Sequence, residues 1–243
     1  MIRSIQLKQI YRNKRFLFFT IMVPSFYYIF MILMYKNNNQ ANFQQIINET
    51  LLPIYCECVL LGIVSNSLLT FGSKISSTRK FYSLYNRITT YTIHQFLVDQ
   101  IMIQIIANLT ISTLITLVGF GFQVLSFNWQ TLLLFLLLNI LGIYFTVIGF
   151  FMGQKIKTET FQMMSMPLIL LVLAFTLPYH LMTSGTLITL ITMIQQLFPI
   201  HYFYGIYYDL MMQNSYLGNL LGFTISLVLT LIPVLYLNYK KLK

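Results

Sequence analysis

The stretch Leu7-Lys8-Gln9-Ile10-Tyr11-Arg12-Asn13-Lys14-Arg15, closing a basic arm that begins at Met1, runs straight into the uncharged segment Phe16 to Tyr35. The arm carries Arg3, Lys8, Arg12, Lys14 and Arg15 and no acid. On a helical wheel Lys8, Arg12 and Arg15 share one face, and Leu7, Ile10 and Tyr11 share an adjoining one. This is the pattern of a helix lying in a membrane interface. The uncharged segment holds about 20 residues, enough at about 1.5 Å each to cross roughly 30 Å of hydrocarbon. A secretory signal would have a shorter apolar core and a small-residue cleavage site. The segment is therefore read as an uncleaved first transmembrane helix. The excess of basic residues on one side sets the arm in the cytoplasm.

The rest of the composition extends this reading. Of 243 residues, 57% are hydrophobic and 8% are charged, a balance foreign to soluble domains. The net charge of +10 sits at the ends of apolar segments, not on a water-soluble module, so no nucleic-acid partner is expected. Cys56 and Cys58 fall inside an apolar segment and are expected as buried free thiols.

The expected fold class is an all-α membrane protein, a single permease-like domain over residues 1–243. Six spans are expected, at about 16–35, 51–72, 96–122, 131–152, 163–181 and 217–239. With both termini cytoplasmic, 14 of the 15 basic residues lie inside and only Lys36 lies outside. A further crossing through Leu187 to Tyr204 would place Lys240, Lys241 and Lys243 outside, so that stretch is read as not crossing.

Between Gly185 and Pro199 there are about a dozen apolar residues, a length suited to a re-entrant or interfacial helix. Its apolar positions include Leu187, Leu190, Ile191, Ile194 and Phe198, beside a polar row of Thr186, Thr189, Thr192 and Gln196. The aromatic run His201 to Tyr208 follows, typical of headgroup depth. Two readings stand: a belt anchoring the last two spans, or an outer gate of short helices. In the loop after the second span, Phe81, Leu84, Tyr85 and Ile88 recur at helical spacing on one narrow face. Such a helix rests on the membrane or docks into a partner's groove.

Within the spans, Glu57 lies about six residues into the second, roughly 9 Å from its outer end. An intramembrane acid marks a functional or inter-helical role, and no basic partner is evident. Asp99 lies near the cytoplasmic mouth, close to His94. In the third span Gln100, Gln104, Asn108, Ser112 and Thr116 repeat every four residues. That ridge drifts about 40° per step, so it is expected to wrap around the helix. Polar glue between helices and a substrate-lining row are both open. His94, His180 and His201 have no metal-ligand spacing, and no metal site is expected.

The N-terminal stretch quoted above, with Val23-Pro24 and Phe26-Tyr27-Tyr28, resembles the opening of the membrane subunits of type-2 ATP-binding-cassette (ABC) exporters. The six-span layout and Leu197-Phe198-Pro199-Ile200-His201-Tyr202 before the last span are similar to that family too. Where the family often carries Glu-Arg followed by Gly, this chain has Thr78-Arg79-Lys80-Phe81, the basic part alone. The resemblance implies an interfacial N-terminal helix and short gate helices before the last span. It implies a coupling helix, with Phe81, Leu84, Tyr85, Ile88, Arg79 and Arg87 meeting an ATPase subunit. It also implies a second permease copy or paralogue beside this one in the bilayer. The chain has no G-x-x-x-x-G-K-[ST] loop, so it is not expected to be an enzyme or to hold a cofactor. Mg-ATP would be bound by the partner. A secondary transporter and a non-transporting immunity or assembly protein are the alternatives. The Asn-, Ile- and Tyr-rich style resembles a Gram-positive plasma-membrane protein. On that resemblance the expected cargo is an amphipathic peptide or lipophilic compound, as in exporters of staphylococcal phenol-soluble modulins or of bacteriocins.

Overall fold

The computed structural model describes residues 8, 11–14, 17–38, 47–78, 93–177 and 186–242. Among them every regular element is helical. Contacts divide the chain into two units, Met1–Ser165 and Met166–Lys243.

The first unit holds four helices long and apolar enough to cross a membrane: Leu17–Asn37, Leu52–Thr78, Val98–Gly121 and Trp129–Lys155. These coincide with the first four expected spans to within a few residues at most ends. The chief difference is at the second span, which continues six residues further, through Lys74 to Thr78. Its end is held by Ser76, whose hydroxyl donates to Ile156 O at 2.9 Å and pairs with Thr158 Oγ1 at 3.1 Å.

We label these helices α1 (Val23–Asn38), α2 (Leu52–Val64), α3 (Ile93–Gly121) and α4 (Trp129–Lys155). A wide π-helical stretch, Leu17–Met22, leads into α1, and another, Ser65–Phe71, prolongs α2. In lipid each backbone N–H and C=O must be bonded within the protein, and a continuous apolar run can do so within its own segment as a helix. α2 sits at the centre. Tyr55, Cys56, Cys58, Val59, Leu60, Ile63 and Val64 are all buried, and both cysteines are free thiols, as expected.

Small residues set how closely the helices approach. A Cβ on Gly62 would lie 2.7 Å from Ile111 Cγ2 and 2.8 Å from Thr20 O, so α2 meets α3 and the start of the first span backbone-close. On α4, Gly149-Phe150-Phe151-Met152-Gly153 forms a G-x-x-x-G pair facing the π-helical stretch. A side chain at Gly149 would collide with the Ser67 carbonyl, and one at Gly153 would come within 2.5 Å of Gly72 O. Such pairs allow transmembrane helices to pack by close van der Waals contact, because apolar burial gives no drive inside lipid.

Of the basic arm only Lys8 and residues 11–14 are described. The Tyr11 hydroxyl shares a 2.7 Å hydrogen bond with Thr110 Oγ1, halfway along the third span. The arm is therefore tied to α3, a contact that its amphipathic pattern did not foretell.

The helix α5 (Thr158–Thr176) carries Pro167 in its interior and passes from the first unit into the second. The second unit continues with α6 (Thr186–Gln195), α7 (Pro199–Met211) and α8 (Leu217–Leu242). α7 and α8 form an antiparallel hairpin. Asn219 Nδ2 donates to Asp209 Oδ2 at 2.7 Å, and Gly205 leaves room for the Asn219 amide. Gly222 in turn lies against the Tyr202 ring.

Candidate functional site

The polar side chains of the first unit gather where α2, α3 and α4 meet. Gln100, Gln104, Asn108, Ser112 and Thr116 are all buried, as are Ser65, Asn66 and Ser67 of the π-helical stretch and Thr146 of α4. The α3 ridge thus stays inside the unit along its length. Its drift is absorbed because α3 is flanked by two helices, and successive residues turn to one or the other.

Asn108 is the node. Its Oδ1 accepts from Asn66 Nδ2 at 2.7 Å and from Gln104 Nε2 at 3.5 Å. Its Nδ2 lies 3.2 Å from both Ser67 Oγ and Gly142 O, and 3.4 Å from Thr146 Oγ1. Ser67 and Thr146 hydroxyls also meet at 3.3 Å, and Thr146 donates to Gly142 O. One turn further along α3, Ser112 donates to Asn139 Oδ1 of α4 at 3.1 Å. One more turn on, Tyr55 of α2 pairs with Thr116 Oγ1 at 2.8 Å. Each bond answers the same demand, since an unmet polar group in the bilayer costs several kcal/mol. Asn66 Oδ1 is one exception: it is fully buried and has no donor among the described residues.

Chemically this arrangement consists of amides and hydroxyls, with no nucleophile–base pair among the described residues. Among the described residues, no three His, Cys, Asp or Glu side chains come together to hold a metal. The two acids singled out in the spans part company. Glu57 of α2 is half-buried and stands outside this network, while Asp99 is buried near the start of α3. Of the intramembrane polar trio, Gln104 and Asn108 are joined directly, and Glu57 joins neither.

The expected docking residues Arg79, Phe81, Leu84, Tyr85, Arg87 and Ile88 lie outside the described residues. The expected gate residues fall on two short helices. Leu190 and Ile194 are exposed on α6 and Ile191 is half-buried. Leu187 lies in the same helix. Phe198 precedes α7 in extended backbone, and Pro199 opens that helix and is buried. With ten residues α6 is about 15 Å long, half of a bilayer core. It is fastened by Gln195, whose Nε2 donates to Phe175 O and Leu177 O at 2.9 and 2.8 Å. Phe175 lies in the last turn of α5 and Leu177 just past it, where a helix leaves its last acceptors unpaired.

Sequence reasoning passed over Asn66, Ser67, Thr146 and Gln195. A signal existed for the first three: isolated polar residues in apolar spans, with Gly149-x-x-x-Gly153 marking a close helix contact. No protein-family model, no curated protein and no solved structure matches the chain.

Proposed function

We propose that the chain is the membrane-spanning permease subunit of an ABC exporter, paired with a second permease and driven by separate ATPase subunits. In this reading α5 and α8 supply two further crossings, giving six, with both termini in the cytoplasm of a plasma membrane. The observation that carries it is the pair α6 and α7. Two short, apolar helices stand between two long ones, bent apart at Phe198-Pro199 and too short to cross. This suits a gate that dips into the bilayer and moves without unpacking the spans. The basic residues support the topology, and the resemblance of Leu7–Arg15 and Leu197–Tyr202 to type-2 exporters supports the class. The closed polar seam of the first unit supports a cargo path outside that unit's interior. The cargo that fits an apolar, Met-rich lining is an amphipathic peptide or lipophilic compound.

Affinity capture of the chain from its native membrane tests the proposal. A P-loop ATPase should accompany it, and amphipathic peptides should raise ATP hydrolysis by the complex. Leu84→Asp should abolish that stimulation and leave insertion intact, and Ile191→Arg should block export with the ATPase still attached. Capture of an intact chain with no ATPase would overturn the reading.

A further inference from the structure

At the turn end of the α3–α4 hairpin a cleft of about 200 Å3 opens between the two helices. Leu117 and Phe120 of α3, Phe127 of the turn, and Leu132 and Phe135 of α4 form its walls. Thr113, Thr116 and Thr131 line it as well, yet none of their hydroxyl protons faces the space. Thr113 donates to Leu109 O at 2.7 Å, Thr116 to Ser112 O at 2.7 Å and Thr131 to Ser126 O at 2.8 Å. Apart from Asn128, the lining is thus mostly methyls and ring faces with no free hydroxyl proton, and a polar guest would lose more hydrogen bonds to water than it regained. The volume is below the roughly 300–1,000 Å3 of sites for drug-sized ligands, so it suits a narrow, flexible chain. Phe127 of the lining is 86% exposed, and Trp129, the next residue after the lining residue Asn128, is 65% exposed, the aromatic placement of a headgroup boundary. Asn128 lines the cleft as well, and its side chain makes no capping bond to α4.

We infer that this cleft is a binding site for one acyl chain of a membrane phospholipid, with the Asn128 amide meeting the glycerol-ester region. Lipid tails are as apolar as the walls, so retention rests on packing against the three rings and on the polar contact at Asn128. The site is independent of any transport activity.

Trp129 is the chain's one tryptophan and directly follows Asn128 of the lining, so its emission serves as the reporter. The purified chain in detergent is titrated with phosphatidylcholine brominated on its acyl chains. Trp129 emission should fall to a plateau at one lipid per chain and recover when unlabelled phosphatidylcholine is added. Thr113→Phe fills the cleft from an exposed position whose hydroxyl bonds only to its own helix, and Leu132→Phe fills it from α4. Both should lose the plateau, and native mass spectrometry should show one retained phospholipid on the parent chain alone. Quenching that rises without saturation in the parent chain, or an equal plateau in a folded filled variant, would mean bulk lipid contact only and would overturn the inference.

Discussion

The first span, Leu17–Asn37, has 22% of its apolar window buried inside the protein, whereas the second, Leu52–Thr78, has 76%. The first is nevertheless the more apolar of the two. In water the order would be reversed, because burial follows hydrophobicity. In lipid the outer surface is free to be apolar, and the interior collects the groups lipid cannot satisfy. α1 accordingly turns Phe26, Phe30 and Leu33 outward, and among the described residues before it the one buried polar side chain is Thr20. α2 and its π-helical extension carry Tyr55, Ser65, Asn66 and Ser67, and every one of these is buried. What fixes a helix at the centre is its polar residues and glycines.

The most severe way to break this contrast is to spoil the close approach. Gly149→Leu drives a side chain into the Ser67 backbone and should cost about 3 kcal/mol or more, at the top of the overpacking range. Size-exclusion chromatography in mild detergent should show an aggregated or unfolded chain. Next comes the node of the seam. Asn108→Leu removes bonds to both neighbouring helices and strands the Asn66 amide, for a loss of about 2 kcal/mol, since single bonds in membranes average about 0.6. Denaturation in mixed micelles should register it. The matched truncations sharpen the comparison at the small end. Ile63→Ala, buried in α2, should cost about 2 kcal/mol by lost packing. Phe30→Ala, on the exposed face of α1, should stay within about 0.5 kcal/mol.

The same contrast explains what was legible in the sequence. Four of the expected spans coincide to within a few residues at most ends with helices long and apolar enough to cross, because uncharged length alone marks such a segment. Where each helix sits was not legible, since Phe30 and Ile63 are equally apolar as letters. The α3 ridge was visible as a four-residue repeat. Its geometry suggested a wrap, because one helix considered alone says nothing of two neighbours taking alternate residues. Asn66 went unremarked, although an amide in an apolar span cannot be left to lipid. Glu57 drew attention for its charge but lies outside the network. Charge marks cost, whereas connection depends on which face a neighbour covers. Gln195, joined to the end of α5, was overlooked in favour of the polar row ending at Gln196, which is exposed.

The central claim is that hydrogen bonds across α2, α3 and α4, and not apolarity, hold the first unit's centre. A double-mutant cycle on Asn66→Ala and Asn108→Ala tests it directly, with unfolding free energies measured in the same bilayer or micelle. The account predicts a coupling of about 0.6–1.7 kcal/mol, the span found for strong inter-helical bonds in membranes. Strictly additive losses would show that the two amides stabilise the helices separately, and would contradict it.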